Sequence, residues 1–221
     1  MGDTNHMTGR SVGKNSVKVG RGRPGYDVVS LVSSSVEVFT AKGFDGASME
    51  DLSKHLGISK SAIYHHVASK DELLELALDR ALGRLAEVVA LTQKRNLGSV
   101  EQLEFLIRAT VAVLIDELPF VTLLLRVRGN TDVERRALER RRLFDNYLAA
   151  LVARAAGDGR VRPELDPALA ARMIFGLVNS LTDWVRPDGD VEVVADTVCP
   201  IALHGLLAPP TPGSGPDSVL G

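Results

Sequence analysis

From residue 27 onward the apolar side chains of this chain return every three or four positions, while the strict alternation of a half-buried strand is hard to find. That periodicity leaves few folds open. Each apolar stripe has to be buried against another helix, so the chain reads as all-α. Val28, Leu31, Val32, Val36 and Phe39 make one face of a first helix over about 27–42, and Gly43 follows where a helix commonly ends on a left-handed residue. Three starts then come in quick succession. Ser48 stands three positions before Asp51, Ser59 precedes Lys60 to His66, and Ser69 stands three before Glu72 as a capping box; helices are predicted over about 49–56, 60–66 and 70–95.

The rest of the pattern predicts longer helices. Ser99 is read as the cap of one over about 99–117, Pro119 suits the first turn of another to about 129, and Thr131 caps a long one to about 156. Asp166-Pro167 opens a helix that Pro187 closes, and Asp190 caps a last one to about 207, in which Pro200 predicts a kink. This makes about nine helices: a small-helix region with a tight turn, then a bundle. Two of them are too apolar for one buried face. Leu169, Met173, Ile174, Phe175, Leu177, Val178, Leu181, Trp184 and Val185 cover a wide arc of the helix near 167–186, and the helix near 190–207 shares the excess. A second copy of the chain could supply the missing cover, or the two could form the centre of the monomer's own bundle.

Cys199 is the single cysteine, so neither an internal disulfide nor a cysteine-based zinc site supports the fold. No apolar run approaches the length of a membrane helix and no signal peptide opens the chain, so a soluble, cytoplasmic protein without a membrane partner is expected. The net charge of −2 speaks at first against a polyanionic partner. Its distribution reverses that inference. Residues 1–23 carry five basic side chains and one acidic one, whereas positions from 143 onward carry five basic and ten acidic. The expected organisation is a disordered basic arm over 1–25, a small-helix domain over 26–72, a longer-helix domain over 73–207, and a disordered tail over 208–221.

The turn Leu56-Gly57-Ile58 between two short capped helices has the spacing of a helix-turn-helix. With Leu52, Leu56, Ile58 and Ile63 facing the first helix, Lys60, Ser61, Tyr64 and His65 are left outside, a polar face able to reach DNA bases and phosphates. Lys60 and Lys70 open the third and fourth helices, where backbone N–H groups and the helix dipole also favour phosphate. Arg21-Gly22-Arg23-Pro24 resembles the core of an AT-hook, whose arginines lie in a narrow minor groove; a plain solubilising tail is the other reading. The candidate DNA contacts are therefore Arg21, Arg23, Ser48, Ser59, Lys60, Ser61, Ala62, Tyr64, His65, His66 and Lys70.

Residues 44–78 strongly resemble the DNA-binding signature of the TetR family of transcriptional regulators. The resemblance rests on Gly43, Phe44, Ser48, Gly57, Tyr64, His66, Ser69, Lys70 and Leu73, with Val67 standing where the family usually has phenylalanine. It implies a homodimer through the helices near 167–186 and 190–207, bound to a pseudo-palindromic operator in double-stranded DNA. It also implies repression relieved by a small-molecule effector, although the family includes activators and ligand-independent members.

For the effector, candidates combining apolar bulk with a polar tip are Phe105, Arg126, Arg128, Phe144, Tyr147, Asn179 and Trp184. Seven arginines fall between 126 and 142, readable either as a solvated face partnered by Asp132, Glu134 and Glu139 or as an anion site for a ligand with an acyl tail. The segment from Phe175 to Gly189 is similar to TetR-family regulators of lipid, steroid and aromatic-acid catabolism, several of which bind coenzyme A thioesters; an acyl-CoA effector is one implication. No catalytic constellation stands out. Glu-x-x-His pairs, His-Glu-x-x-His, a phosphate-cradling glycine loop and Gly-x-Ser-x-Gly are all missing from the sequence, so neither an enzyme nor a cofactor is expected.

Overall fold

The computed structural model describes residues 27–206, and the arm and tail lie outside that range. Nine α-helices and no β-strand are found among the described residues: α1 (Val28–Lys42), α2 (Met49–Leu56), α3 (Lys60–Tyr64), α4 (Lys70–Lys94), α5 (Ser99–Asp116), α6 (Leu118–Arg126), α7 (Asp132–Gly157), α8 (Pro167–Asn179) and α9 (Val191–His204). Their starts are set locally. Asp27, Ser48, Ser59, Ser69, Thr131, Asp166 and Asp190 each accept a backbone N–H of the first turn they cap.

Three details differ from the sequence pattern. The reciprocal capping box forms at Ser48 and Asp51; at α4 the Glu72 carboxylate accepts instead from the N–H of Ala68, one residue before the cap, at 2.5 Å. Ser99 is not a cap, because α5 starts on Gly98 with no side-chain hydrogen bond and Ser99 is buried in the first turn. The helix expected to run to 186 stops at Asn179 and tightens into a 3₁₀ turn, Ser180–Asp183. There the Ser180 and Thr182 hydroxyls donate to carbonyls three residues back, at 2.7 and 2.8 Å, and favour the tighter winding.

α1, α2 and α3 form a small head around Leu31, Val36, Phe39, Leu52 and Ile63, all essentially inaccessible. Phe39 and Phe44 meet edge to face at 5.3 Å. Val67 is buried beside this core, so the smaller side chain still fills its position. Gly57 makes the sharp turn between α2 and α3: its φ of 66° is left-handed, its N–H reaches back to α2, and the Ser53 hydroxyl secures the Ile58 carbonyl at 2.5 Å.

α5 is the central rod of the body. Leu103, Leu106, Ile107, Val111 and Leu114 are buried along it, and α4, α7 and α9 pack around it. α4 and α6 also touch α1, so both run from the body into the head. Cys199 is buried on α9 against the Glu104 carbonyl, with its thiol pushed up to about 11 by burial.

Candidate nucleic-acid interface and effector cavity

The head presents α3 and the turn after it to solvent. Ile63 anchors α3 inward, while Lys60, Ser61, Tyr64, His65 and His66 are exposed, Tyr64 at 50%. α3 ends at Tyr64, so the two histidines, expected inside the helix, stand in the turn that closes it. Ala62 is half-buried, its N–H held by the Ser59 hydroxyl at 3.2 Å. The Ser48 hydroxyl is likewise taken up in its cap. What these two helix starts offer outward is chiefly their remaining backbone N–H groups.

Charge on this surface is arranged in pairs. Lys60 and Lys54 both grip Glu50, at 3.0 and 3.1 Å, and the Lys60 contact leads in holding that carboxyl below its usual range. Lys42 meets Asp51 at 2.5 Å, and together with Ser48 it depresses the Asp51 carboxyl. Lys70 corrects the sequence reading. Its ammonium turns inward to the α1–α2 loop, donating to the Phe44 and Ala47 carbonyls at 2.8 Å each and lying 4.2 Å over the Phe44 ring. It fixes that loop rather than standing ready for phosphate. Arg21 and Arg23 lie outside the described residues.

The body contains a narrow cavity, partly open to solvent and with about 30 Å³ of water-accessible space, walled by α4, α5, α6, α7 and α8. Phe144 and Asn179 line it as expected, joined by Leu114, Leu124, Arg141, Asp145 and Phe175. Phe144 and Phe175 stand 5.1 Å apart, and beyond Phe144 and Leu85 a second hollow opens between α4 and α7. Burial raises the Asp145 carboxyl above its ordinary value against the opposing pull of Arg141 and Arg172.

The other predicted effector residues lie elsewhere. Phe105 is covered by the Arg95 guanidinium at 3.9 Å, Tyr147 is half-buried outside the cavity wall, and Trp184 is 62% exposed because α8 ends before it. Arg126 leaves the body altogether, donating to the Thr40 carbonyl at the end of α1 at 2.7 Å, and Arg128 is exposed on the loop after α6. Asn130, on the same loop, donates to Asp45 in the head at 2.9 Å. Of the α7 arginines, Arg136 and Arg140 pair with Glu75 and Asp79 of α4, so the helix is tied to its neighbour rather than simply solvated. Glu134 is no partner of theirs: buried, it accepts from the N–H groups of Gly129 and Asn130.

Arg141 and Asp145 were missed from sequence, although a signal existed. The inward stripe of α7 runs Ala137, Arg141, Phe144, Asp145, Leu148, Val152 and Ala155, and only those two positions carry charge.

Residues 31–77 match the profile of the bacterial regulatory proteins of the tetR family, and residues 96–206 match the tetracyclin repressor-like C-terminal domain. The chain belongs to the TetR family. It is a helix-turn-helix transcriptional regulator, with α2, the Gly57 turn and α3 as its DNA-binding motif. A solved TetR-family regulator from Streptomyces coelicolor A3, SCO3833, is 49% identical, with a TM-score of 0.76 over 80% of this chain and 90% of that one. The fatty acid metabolism regulator protein of Bacillus subtilis (strain 168) is 24% identical, covering 83% of this chain and 96% of its own. AibR, solved in complex with isovaleryl coenzyme A and operator DNA, shares the fold with a TM-score of 0.68 at 21% identity, over 80% of this chain and 97% of that one. Within this TetR-family chain no helix of the described residues is long and apolar enough to cross a membrane. Nor do His, Cys, Asp and Glu side chains cluster there in a way that could hold a metal ion.

Proposed function

We propose that this TetR-family regulator is a non-enzymatic homodimeric repressor of the cytoplasm, released from a pseudo-palindromic operator by an acyl-thioester effector. The observation that carries the reading is the position of the cavity. Its walls include α4 and α6, the two body helices that reach α1, so occupancy of the cavity has a direct mechanical route to the head. The apolar lining suits an acyl chain, and AibR, with its bound isovaleryl coenzyme A, offers a precedent for the thioester.

On this reading residues 26–72 are the DNA-binding head and 73–207 the effector and dimerisation body. Lys60, Ser61 and His65 face base edges, Tyr64 and the N–H groups after Ser48 and Ser59 face phosphate, and His66 and Ala62 flank them. Arg21 and Arg23 extend the contact into the minor groove, and Lys70 acts by holding the Phe44 loop. Glu50 then serves as a stand-in anion that Lys60 exchanges for DNA.

Dimerisation is assigned to α8 and α9. Leu169, Met173 and Ile201 border an apolar groove between them, with Met173 70% and Ile201 61% exposed, a surface that a second copy would cover. Two heads so joined read successive major grooves about 34–36 Å apart.

A mobility-shift series with DNA flanking the gene tests the whole. A retarded band that survives scrambled competitor and is reversed by octanoyl-CoA is expected; a complex indifferent to every acyl-CoA of two to sixteen carbons would overturn the effector part.

A further inference from the structure

The cavity carries polar groups that its apolar lining does not explain. Among the described residues, Arg141, Asp145 and the Asn179 side chain make no hydrogen bond and close no ion pair, yet all three line the same wall region formed by α7 and α8. Thr110, the other polar lining residue, is satisfied within its own helix, donating to the Leu106 carbonyl at 2.7 Å. Asp145 is half-buried and offset by the charges of Arg141 and Arg172, but no hydrogen bond takes up its oxygens, so their acceptor capacity stays free at the cavity wall. An acceptor left without a hydrogen bond at a cavity wall is available to a ligand that brings the donor.

We infer that Arg141, Asp145 and Asn179 select an effector bearing a neutral N–H donor beside a carbonyl acceptor, the pattern of the secondary amides in a pantetheine arm. The inference rests on the effector reading above and goes further by assigning its head-group chemistry. Asp145 accepts the ligand N–H, and Arg141 or Asn179 donates to the adjacent carbonyl. The acyl chain then lies against Phe144, Phe175 and Leu124, and the end of the arm faces the open mouth.

Two other ligand types fit these groups less well. A free carboxylate is drawn to Arg141 but meets the negative charge of Asp145, and a simple hydrocarbon desolvates all three polar groups without giving any of them a hydrogen bond. Specificity thus comes as much from the ligands Asp145 rejects as from the one it accepts.

Titration calorimetry of the full-length protein with octanoyl-pantetheine, octanoyl-CoA and octanoate tests this. The thioesters should bind about tenfold or more tighter than octanoate. Asp145→Leu should abolish that preference while retaining or raising the melting temperature, and Asn179→Leu should reduce it. Asp145→Asn, whose amide oxygen still accepts, should keep part of it. Octanoate binding as tightly as the thioesters, or a preference unchanged in both Asp145→Leu and Asn179→Leu, overturns the head-group assignment and leaves the effector reading standing. Failure of every octanoyl ligand to bind the unaltered protein overturns both.

Discussion

Lys70 shows how a side chain can serve DNA recognition without touching DNA. Its ammonium bridges two carbonyls of the α1–α2 loop, and that loop leads directly into the Ser48 cap. Lys70→Met should lower unfolding stability by about 2 kcal/mol in chemical denaturation, since it leaves both carbonyls short of a charged donor. Ser48→Ala, which breaks the capping box, should cost about 1 kcal/mol in the same measurement. Asp51 adds a pH dependence of defined sign. Its carboxyl is held below the ordinary range by Lys42 first and Ser48 next, so the associated stability is present above about pH 4 and is lost as the pH falls further. In an acid titration of the melting temperature, Asp51→Asn should flatten that limb. The caps at Ser48 and Ser59 and the Gly57 turn are legible in the sequence because their partners lie within three or four positions. The direction of Lys70 is not: its acceptors are 23 and 26 positions away, and nothing local distinguishes a lysine that faces solvent from one drawn over a ring.

The loop from Val127 to Thr131, between α6 and α7, is the element that joins the cavity proposed for the effector to the head. Its neighbours Leu124 and Leu125 wall the cavity, while Arg126 and Asn130 hold the end of α1 and the residue after Phe44. Coupling between two sites needs an element that feels both, and this one does. The double variant Arg126→Ala/Asn130→Ala should retain effector binding and operator binding measured separately, yet weaken the effector's influence on operator affinity; calorimetry and mobility shift in parallel read this out. An unchanged shift in operator affinity would place the coupling in α4 alone. Helix extents were largely legible, because periodicity and caps agree over most of the chain. The end of α8 was not, since the apolar pattern runs on through Leu181 to Val185 while the Ser180 and Thr182 hydroxyls rewind the backbone. That rewinding is also why Trp184, apolar and in register by sequence, ends up outside the cavity.

Over the whole molecule, the proposed dimer needs two heads at a fixed separation, and on that reading the α8–α9 surface governs DNA affinity. Met173→Glu combined with Ile201→Glu should yield a monomer by sedimentation and weaken operator binding by about a hundredfold or more, because the second head no longer binds at high effective concentration. A dimer that survives both charges would move the interface elsewhere. The excess apolarity of these helices was visible in the sequence and corresponds to the exposed Leu169, Met173 and Ile201. The cavity was less so, because it draws one to three residues from each of five helices; Phe144 and Asn179 were legible, while Arg141 and Asp145 were not. Cys199 has a bearing of its own on how the separation of the heads is measured. As the sole cysteine of the sequence, enclosed on α9 with a thiol that stays protonated near neutral pH, it is a poor target for maleimide reagents. A Ser61→Cys variant would therefore accept a spin label at each reading head with little background. Pulsed dipolar spectroscopy could then follow the distance between the two heads as effector is added, in the otherwise native chain.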